Sequence, residues 1–240
     1  MKLTIGHLYP AYLNIYADRG NIAVLRARAR ARGHEVEVVP IDVGDPVPAG
    51  VDLFYVGGGQ DREQALVAPD LLAKAEALEA AVAGGASVLA VCGGYQLLGR
   101  SYRDRAGAEL QGVGLLPVRT VAGARRLIGD VLVACDWAGG RTLAGFENHG
   151  GRTVLDPGAE PLGRVLAGFG NDGESGVEGC RAGRVYGTYL HGPLLPRNPW
   201  FADHLLAEAL GVELEPLDDA LEAQAHAVAA ARARARGGRR

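Results

Sequence analysis

Short apolar runs alternate with helical patterns over the first hundred residues of the chain. The apolar runs at 3–8, 35–40, 52–56 and 87–91 predict strands, and helical spacing covers the segments near 21–32, 62–83 and 93–99. Strands that alternate with helices form a mostly parallel sheet with helices on its faces. The pattern therefore predicts a three-layer α/β fold, in which the functional crevice lies beyond the carboxyl ends of the strands.

Beyond residue 100 the pattern changes to short strands separated by glycine-rich turns. Apolar stretches at 112–118, 129–134 and 143–147 predict strands that pair antiparallel at one edge of the sheet, and 184–190 predicts a last strand. Two further helical segments follow, at 199–210 and at roughly 218–234. We therefore divide the chain into a large domain at 1–211 and a C-terminal helical segment with an arginine-rich tail at 212–240.

Proline and arginine add detail to three of the helical segments. Pro69 predicts a break inside the segment near 62–83, because proline interrupts helical hydrogen bonding. Alternating arginines in the first helix predict a solvated helix, because this spacing spreads charge around the circumference; they are Arg26, Arg28, Arg30 and Arg32. The arginines of the tail predict a solvated, partly frayed end; they are Arg232, Arg234, Arg236, Arg239 and Arg240.

The composition limits the class of protein. Over 240 residues, 48% are hydrophobic and 22% are charged, which fits a folded domain with a full core. A formal net charge of -3 does not indicate a protein that binds nucleic acid or an acidic membrane surface. The N-terminus lacks the features of a signal peptide, and no run approaches the roughly 20 apolar residues of a membrane span. Three cysteines without a CxxC pair indicate a reducing compartment, so we expect a cytoplasmic protein.

The apolar run at 87–91 stops abruptly at Cys92, which is followed by two glycines and a helical pattern. At a sharp strand-to-helix turn the side chain is lifted clear of the sheet, and small neighbours let chain segments pass close. The positive end of the helix dipole also favours a thiolate over a thiol. Cys92 is therefore placed like a nucleophile. The alternative is a buried cysteine of the core, which is the commonest fate of a free cysteine.

A cysteine nucleophile needs a base, and His191 lies at the end of another predicted strand, on the same rim. Two distant strand ends can hold such a pair because the sheet fixes their geometry. His149, at the end of a further strand, is the main competitor for this role. For the remaining histidines a surface or structural role is the better interpretation.

Acyl transfer also requires N–H donors for the oxyanion that forms at the substrate carbonyl. The Gly93 N–H group, next to the nucleophile, can be one donor, and the triple glycine at 57–59 can supply the other from Gly58 or Gly59. The alternative interpretation of this segment is a phosphate-binding loop. It lacks the lysine and the serine or threonine of a P-loop, so we favour the oxyanion role.

These motifs resemble those of the class I glutamine amidotransferases, in the branch typified by cobyric acid synthase. Residues 91–96 resemble the nucleophile turn of that family, 55–61 its oxyanion strand and loop, and 189–193 its histidine segment. Within the branch, the chain is most similar to the glutamine-hydrolysing, GatD-type subunits of lipid II isoglutaminyl synthase. The segments that carry this similarity are 126–130, 147–153, 168–173 and 190–199.

The resemblance implies a flavodoxin-like, three-layer fold and hydrolysis of L-glutamine without a metal or other cofactor. By the same resemblance, we expect the ammonia to pass to a Mur-ligase-like, MurT-type partner in a heterodimer, which uses ATP to amidate a D-glutamate carboxylate of lipid II during peptidoglycan synthesis. By this resemblance Cys92 is the nucleophile and His191 the base and acid. Gly58 and Gly93 supply the oxyanion hole, and Arg126 binds glutamine, since a guanidinium matches the substrate carboxylate. Arg125, or an exposed arginine pair without this role, is the alternative.

The sequence departs from the family pattern at two positions. Ala90 replaces the first glycine of the usual nucleophile turn, which its small side chain makes tolerable. Pro193 stands where many of these enzymes place an acid that orients the histidine. Three explanations remain open: Glu147 orients the ring, a dyad suffices, or the partner supplies the acid. We favour the last two, and they predict low glutaminase activity for the isolated chain.

Two other functions compete with this one. The chain could act as the amidotransferase part of a system that amidates cobyrinate or cobyric acid, although such proteins usually carry an ATP-binding domain in the same chain. It could instead be a non-catalytic amidotransferase-like module that binds a partner, with Cys92 buried and inert. The reactivity of Cys92 separates the enzymes from the binding module.

Overall fold

Two β-sheets make up the body of the protein in the computed structural model, which describes residues 1–15 and 19–237. The first sheet contains β1 (Lys2–Leu8), β2 (Glu35–Ile41), β3 (Leu53–Val56), β4 (Ser87–Val91), β11 (Cys180–Ala182) and β12 (Val185–Thr188). The second contains β5 (Ser101–Arg103), β6 (Glu109–Gln111), β7 (Val118–Cys135), β8 (Arg141–Leu155), β9 (Gly163–Ala167) and β10 (Val177–Glu178). The helices are α1 (Arg19–Ala31), α2 (Asp61–Ala73), α3 (Ala75–Ala83), α4 (Gly93–Leu98), α5 (Pro199–Leu210) and α6 (Ala220–Gly237).

The first sheet is the parallel sheet that the sequence predicts. Its strand order is β11-β12-β4-β3-β1-β2, and every neighbouring pair is parallel except β11 with β12. The strands β3 and β4 are buried along their whole length, as expected for central strands covered on both faces. Helices α1 and α5 contact each other, and α2 contacts α3 and α4. The predicted α/β fold class is confirmed, and β1, β3, β4 and β12 end at one common rim.

The strands between residues 101 and 178 form a separate sheet, and this differs from the prediction. The long strands β7 and β8 pair antiparallel with each other, and β7 also pairs with β9 and β5. The predicted strands at 129–134 and 143–147 lie within β7 and β8, but they do not extend the edge of the parallel sheet. Only β11 pairs antiparallel there, in the part of the chain that the structure describes. Local alternation predicts a strand but cannot assign it to one of two sheets.

The predicted strand at 112–118 is wrong for all but its last residue. The Gly112 N–H group donates to the Arg100 carbonyl, and the Val113 N–H group donates to the Leu97 carbonyl, both at 2.9 Å. A Cβ on Gly112 would lie 2.1 Å from the Gly99 carbonyl oxygen, so only glycine fits. The segment therefore wraps around the end of α4 instead of pairing with a strand.

Pro69 lies inside α2, and the predicted break occurs later, at Lys74. The Lys74 N–H group donates to the carbonyls of Asp70 and Leu71 at 3.1 Å, so the chain passes from α2 to α3 through one tight turn. The Lys74 side chain is buried, with its ammonium group paired with Asp70 and lying 5.4 Å from the centre of the Tyr9 ring. The interruption between α2 and α3 therefore lies at Lys74 and its contacts, and not at Pro69.

Helix α1 is not solvated all round, contrary to the prediction. Arg28 and Arg32 are four residues apart, so they lie on the same face of the helix. That face meets α5, where Asp203 accepts hydrogen bonds from both guanidinium groups at 2.6–3.0 Å. Arg28 also donates to Asp219 at 2.6 Å, just before α6. Arg26 and Arg30 are exposed, as predicted.

The C-terminal helix α6 contacts β7, β8 and β9. Its buried residues Ala230 and Ala233 pack against Leu132, Ala144 and Ala167 of the second sheet. Arg232 and Arg236 both donate to the Asp130 carboxylate, at 2.8 and 3.0 Å, so these two arginines of the predicted solvated tail are ion-paired. Arg239 and Arg240 lie outside the described residues. None of the helices within 1–15 and 19–237 combines the length and the apolar character needed to cross a bilayer.

Candidate active site

Cys92 occupies the turn between β4 and α4, as the sequence predicts. Its backbone has φ of 51° and ψ of -106°, an unusual conformation for a residue other than glycine. Such a conformation costs about 1–3 kcal/mol and persists only where the surroundings impose it. Two main-chain hydrogen bonds do so: the Cys92 N–H group donates to the Thr188 carbonyl at 2.8 Å, and the Cys92 carbonyl accepts from the Gln96 N–H group at 3.0 Å.

The glycine loop 57–59 lies directly against this turn. A Cβ on Gly94 would lie 2.7 Å from the Val56 carbonyl oxygen, and a Cβ on Gly93 would lie 2.9 Å from the Gly59 nitrogen. Neither position accepts a side chain without moving main chain. The two glycines after Cys92 therefore allow the predicted oxyanion loop to approach the predicted nucleophile.

His191 also lies against the glycine loop. Its side chain is fully buried, and its backbone forms a two-way bridge with Phe146, with N···O distances of 2.7 and 3.2 Å. A Cβ on Gly58 would lie 3.1 Å from Cε1 of the imidazole ring. Because β12 is the parallel neighbour of β4, the chain emerges beside Cys92 and reaches His191 three residues later. The structure thus places the predicted nucleophile and base around one loop.

A cavity of about 710 Å³ opens at this rim. Cys92 and the predicted substrate ligand Arg126 both line it, together with Ile15, Gly59, Gln60, Asp61, Arg62, Gln64, Gln96, Tyr102, Arg105, Ala122, His149, Gly150 and Gly151. The Arg126 guanidinium donates to the Oδ1 atom and to the carbonyl of Asn148, both at 2.7 Å. These bonds hold the guanidinium group through Nε and Nη2. Arg125 is exposed and does not line the cavity.

The position of Arg126 leads to a kinetic prediction. If Arg126 binds the substrate carboxylate, Arg126→Ala removes an interaction that is equal in the ground state and the transition state. We expect the KM for glutamine to rise by roughly 10–100-fold with a much smaller change in kcat, since a charged hydrogen bond contributes about 1.5–3 kcal/mol. Steady-state glutaminase kinetics measure both constants. Arg125→Ala is the matched control, and an equal rise of KM in that variant would contradict the assignment.

Glu147 and His149 form a buried pair beside the cavity. The Glu147 carboxylate accepts hydrogen bonds from the N–H groups of Phe169 and Gly170 at 2.6 and 2.9 Å, and it lies 3.8 Å from Nε2 of His149. The His149 ring stacks on Tyr189 with 3.6 Å between centroids. The described contacts of Glu147 therefore involve a glycine loop and His149. From the sequence, Glu147 is one candidate for the acid that orients His191, and that role remains a prediction.

Sequence reasoning missed Glu178, which lies fully buried next to the histidine segment. Its carboxyl group accepts from the Tyr189 N–H group at 2.6 Å and from the Thr188 hydroxyl at 3.0 and 3.1 Å. Burial raises the pKa of Glu178 to about 8, although these hydrogen bonds favour the ionised form. The one local signal is an acid set among glycine and apolar residues at 176–180.

A metal centre has no support in the described part of the chain. Within 1–15 and 19–237, no group of three or more histidine, cysteine, aspartate or glutamate side chains could hold a metal ion. Cys135 and Cys180 are buried free thiols, and burial raises the pKa of each to about 12. Of the three cysteines, Cys92 is the one that lines the cavity.

Known proteins give an independent view of the chain. It is 43% identical to the GatD subunit of the glutamine-hydrolysing lipid II isoglutaminyl synthase of Staphylococcus aureus strain N315, over 95% of this chain and 94% of the relative. The corresponding subunit of Streptococcus pneumoniae strain ATCC BAA-255 / R6 is 39% identical, over 87% of this chain and 81% of the relative. Cobyric acid synthase of Brucella melitensis biotype 2 is 36% identical over 74% of this chain, which spans 36% of that longer protein.

The fold agrees with a solved structure, and a family model agrees with the sequence. The structure of PurLQS from Thermotoga maritima superposes with a TM-score of 0.57 at 17% identity, covering 88% of this chain and 96% of that one, which shows a shared fold alone. The model of the CobB/CobQ-like glutamine amidotransferase domain matches residues 4–199, which include the nucleophile turn, the glycine loop and the histidine segment. The chain therefore belongs to the CobB/CobQ-like glutamine amidotransferase family.

Proposed function

We propose that the chain is the glutamine-hydrolysing subunit of a lipid II isoglutaminyl synthase. It hydrolyses L-glutamine and delivers ammonia to a Mur-ligase-like, ATP-dependent partner, which amidates the α-carboxylate of D-glutamate in lipid II. The observation that carries the chemical part is the common cavity of Cys92 and Arg126, together with a glycine loop that lies against both the turn after Cys92 and the imidazole of His191. The similarity to GatD subunits along nearly their full length supports the choice of acceptor.

The first half of the reaction forms a thioester. His191 takes the proton of the Cys92 thiol, and the thiolate attacks the carboxamide carbon of glutamine. The oxygen of the tetrahedral intermediate becomes negatively charged and accepts hydrogen bonds from the main-chain N–H groups of Gly93 and Gly58. The C–N bond then breaks as His191 returns its proton to the departing nitrogen. Ammonia leaves, and the glutamyl group stays on the Cys92 sulfur.

The second half of the reaction releases glutamate. His191 removes a proton from a water molecule, which attacks the thioester carbon. A second tetrahedral intermediate forms in the same oxyanion hole and collapses with cleavage of the C–S bond. The sulfur leaves and takes the proton that His191 removed from the water molecule, which restores the Cys92 thiol and the neutral imidazole. Throughout, Arg126 holds the substrate α-carboxylate, which fixes the distance between the reacting carbon and Cys92.

A cobyrinate-amidating role has less support than the lipid II role. This chain spans 36% of the Brucella cobyric acid synthase, so that protein is almost three times as long as its matched part. The GatD relative from Staphylococcus aureus is matched over 94% of its length. A non-catalytic binding module would not require a strained cysteine that faces a cavity next to a glycine loop.

Labelling of Cys92 tests the glutaminase part of the proposal. A glutamine-mimicking electrophile, such as a γ-position diazoketone, should modify Cys92, and excess L-glutamine should block this reaction. Mass spectrometry of the modified peptide identifies the residue. Labelling that spreads equally over Cys92, Cys135 and Cys180, or that glutamine fails to block, would support the binding module instead.

The partner requires a separate experiment. We expect a Mur-ligase-like chain to copurify with this one from the native cell, and adding that chain should raise glutaminase activity if it completes the site. Lipid II serves as the amide acceptor in the reconstituted reaction, with ATP present. Copurification of a cobyrinate-binding synthase, or amidation of cobyrinate and not of lipid II, would favour the alternative acceptor.

A further inference from the structure

The cavity beside Cys92 carries charges of both signs in unequal number. Arg62, Arg105 and Arg126 line it, and Asp61 is the one acid among the described residues that do so. We infer that the Asp61 carboxylate binds the α-ammonium group of the substrate glutamine, while Arg126 binds the α-carboxylate. Asp61 is then a specificity-determining residue of the site. This inference rests on the proposed glutaminase function.

The chemistry of the substrate calls for such a group. Hydrolysis uses the carboxamide of glutamine, and at the other end of the molecule a carboxylate and an ammonium group share one carbon atom. Each loses bound water when it enters a cavity, and this cost is offset by a partner of opposite charge. Arginine side chains suit the carboxylate, but they only donate hydrogen bonds and would repel the ammonium group. The carboxylate of Asp61 is the lining group with the matching charge.

The position of Asp61 fits the α-end of the substrate. Gln64 follows three residues later on α2, so the two side chains lie on the same face of the helix, and both line the cavity. Gln64 is buried against the nucleophile turn, since a Cβ on Gly93 would lie 3.1 Å from its Cδ atom. Asp61 and Arg126 are exposed. This face of α2 therefore leads from the region of the reacting carbon to the exposed mouth of the cavity.

Tyr102 of β5 orients the Asp61 carboxylate. The buried Tyr102 hydroxyl donates to Oδ1 of Asp61 at 2.9 Å, and Tyr102 also lines the cavity. Burial raises the pKa of Tyr102, so the hydroxyl keeps the proton that it donates. Within 1–15 and 19–237, Asp61 forms no ion pair with any of the three arginines. One carboxylate oxygen is thus held by the protein, and Oδ2 is left to accept from a ligand.

A structural role for Asp61 is the alternative that the test must exclude. Asp61 is the first residue of α2, where an acid stabilises the positive end of the helix dipole. Removing such an acid would weaken the helix and would affect every substrate alike. A role in binding the ammonium group affects only substrates that carry this group.

The test compares glutamine with two analogues that each lack one α-group. The first, 4-carbamoylbutanoate, has no ammonium group, and the second, 4-aminobutanamide, has no carboxylate. In full-length Asp61→Asn with its copurified partner, we expect the KM for glutamine and for 4-aminobutanamide to rise by about 10–100-fold with little change in kcat. The KM for 4-carbamoylbutanoate should stay within about two-fold of its original value. Where turnover is slow, protection of Cys92 from the glutamine-mimicking electrophile measures the affinity.

Two further variants serve as controls. Arg126→Ala should show the reverse pattern, with weaker binding of glutamine and 4-carbamoylbutanoate and unchanged binding of 4-aminobutanamide. Glu76→Gln removes an exposed acid from the first turn of α3, away from the cavity, so all three affinities should match those of the unaltered chain. This second control measures the general effect of losing an acid at a helix N-terminus.

An unchanged KM for glutamine in Asp61→Asn would overturn the inference, and so would an equal rise for all three compounds. If that variant does not fold, Tyr102→Phe provides the same comparison, because it removes the hydroxyl that orients Asp61. We then expect weaker binding by about 3–10-fold for the two compounds that carry an ammonium group, and equal effects on all three would contradict the inference. An unaltered chain that neither hydrolyses glutamine nor reacts at Cys92 would instead contradict the proposed function.

Discussion

Replacing Cys92 by alanine should reduce glutamine hydrolysis by roughly 1,000-fold or more, because no other group in the cavity can form the thioester. The expected effect on folding is small. Alanine lacks only the sulfur, which borders the cavity although Cys92 is 5% exposed, and it must adopt the same positive φ as the cysteine. Ammonia release measures activity, and thermal unfolding shows whether the variant remains folded.

The other two cysteines provide matched controls for this prediction. Cys135 and Cys180 are fully buried away from the cavity, so Cys135→Ala and Cys180→Ala should keep the kcat of the unaltered chain in their folded fraction. Some loss of stability is expected in both, since each removes buried volume. A Cys92→Ala protein that still hydrolysed glutamine would end the proposed mechanism.

Replacing Gly93 by alanine should lower kcat by about 100-fold or more. The added Cβ would lie 2.9 Å from the Gly59 nitrogen and 3.1 Å from Cδ of Gln64, and the first of these atoms belongs to main chain that cannot rotate away. The glycine loop must then move from the nucleophile turn, which separates the two proposed oxyanion donors, Gly93 and Gly58. Loss of one such donor costs about 2.7–4 kcal/mol of transition-state stabilisation.

Gly129→Ala is the control for the Gly93 variant. Gly129 lies in β7 with no positive φ, and a Cβ there would be 3.9 Å from the Phe169 ring, which is ordinary contact. We expect kcat within about two-fold of the unaltered chain, since surface-like substitutions without strain have small effects. Full activity in Gly93→Ala, measured at saturating glutamine, would show that the loop does not supply an oxyanion donor against this turn.

Much of the parallel sheet could be predicted because its signals are local. The run at 87–91 has the bounds of β4, and the helix at 199–210 has the bounds of α5. Each pattern depends on the spacing of residues two to four positions apart, so it can be recognised without knowing which distant segments meet. The placement of Cys92 at the strand-to-helix turn follows from the same local pattern, since an apolar run and two glycines bracket it.

The errors of prediction concern contacts between distant segments. The sequence pattern predicted that Arg28 and Arg32 are solvated. Their common partner, Asp203, lies more than 170 positions away in the sequence, so a local pattern cannot show the ion pairs. The strands near 130 and 145 alternate as an edge pair would, yet they belong to a second sheet. A local pattern sets the type of an element and leaves its partner open.

The sequence by itself determined the α/β class and the strand-to-helix turn at Cys92, and it named the candidate residues His191, Gly58, Gly93 and Arg126. Only the tertiary structure brought the glycine loop into contact with both the turn after Cys92 and the imidazole of His191, and placed Cys92 and Arg126 on the same cavity. It alone set Glu178 against the end of β12. The physical reason is that the pleat, the helix turn and the strained backbone are short-range properties, whereas buried charge and close backbone approach depend on which distant segments meet.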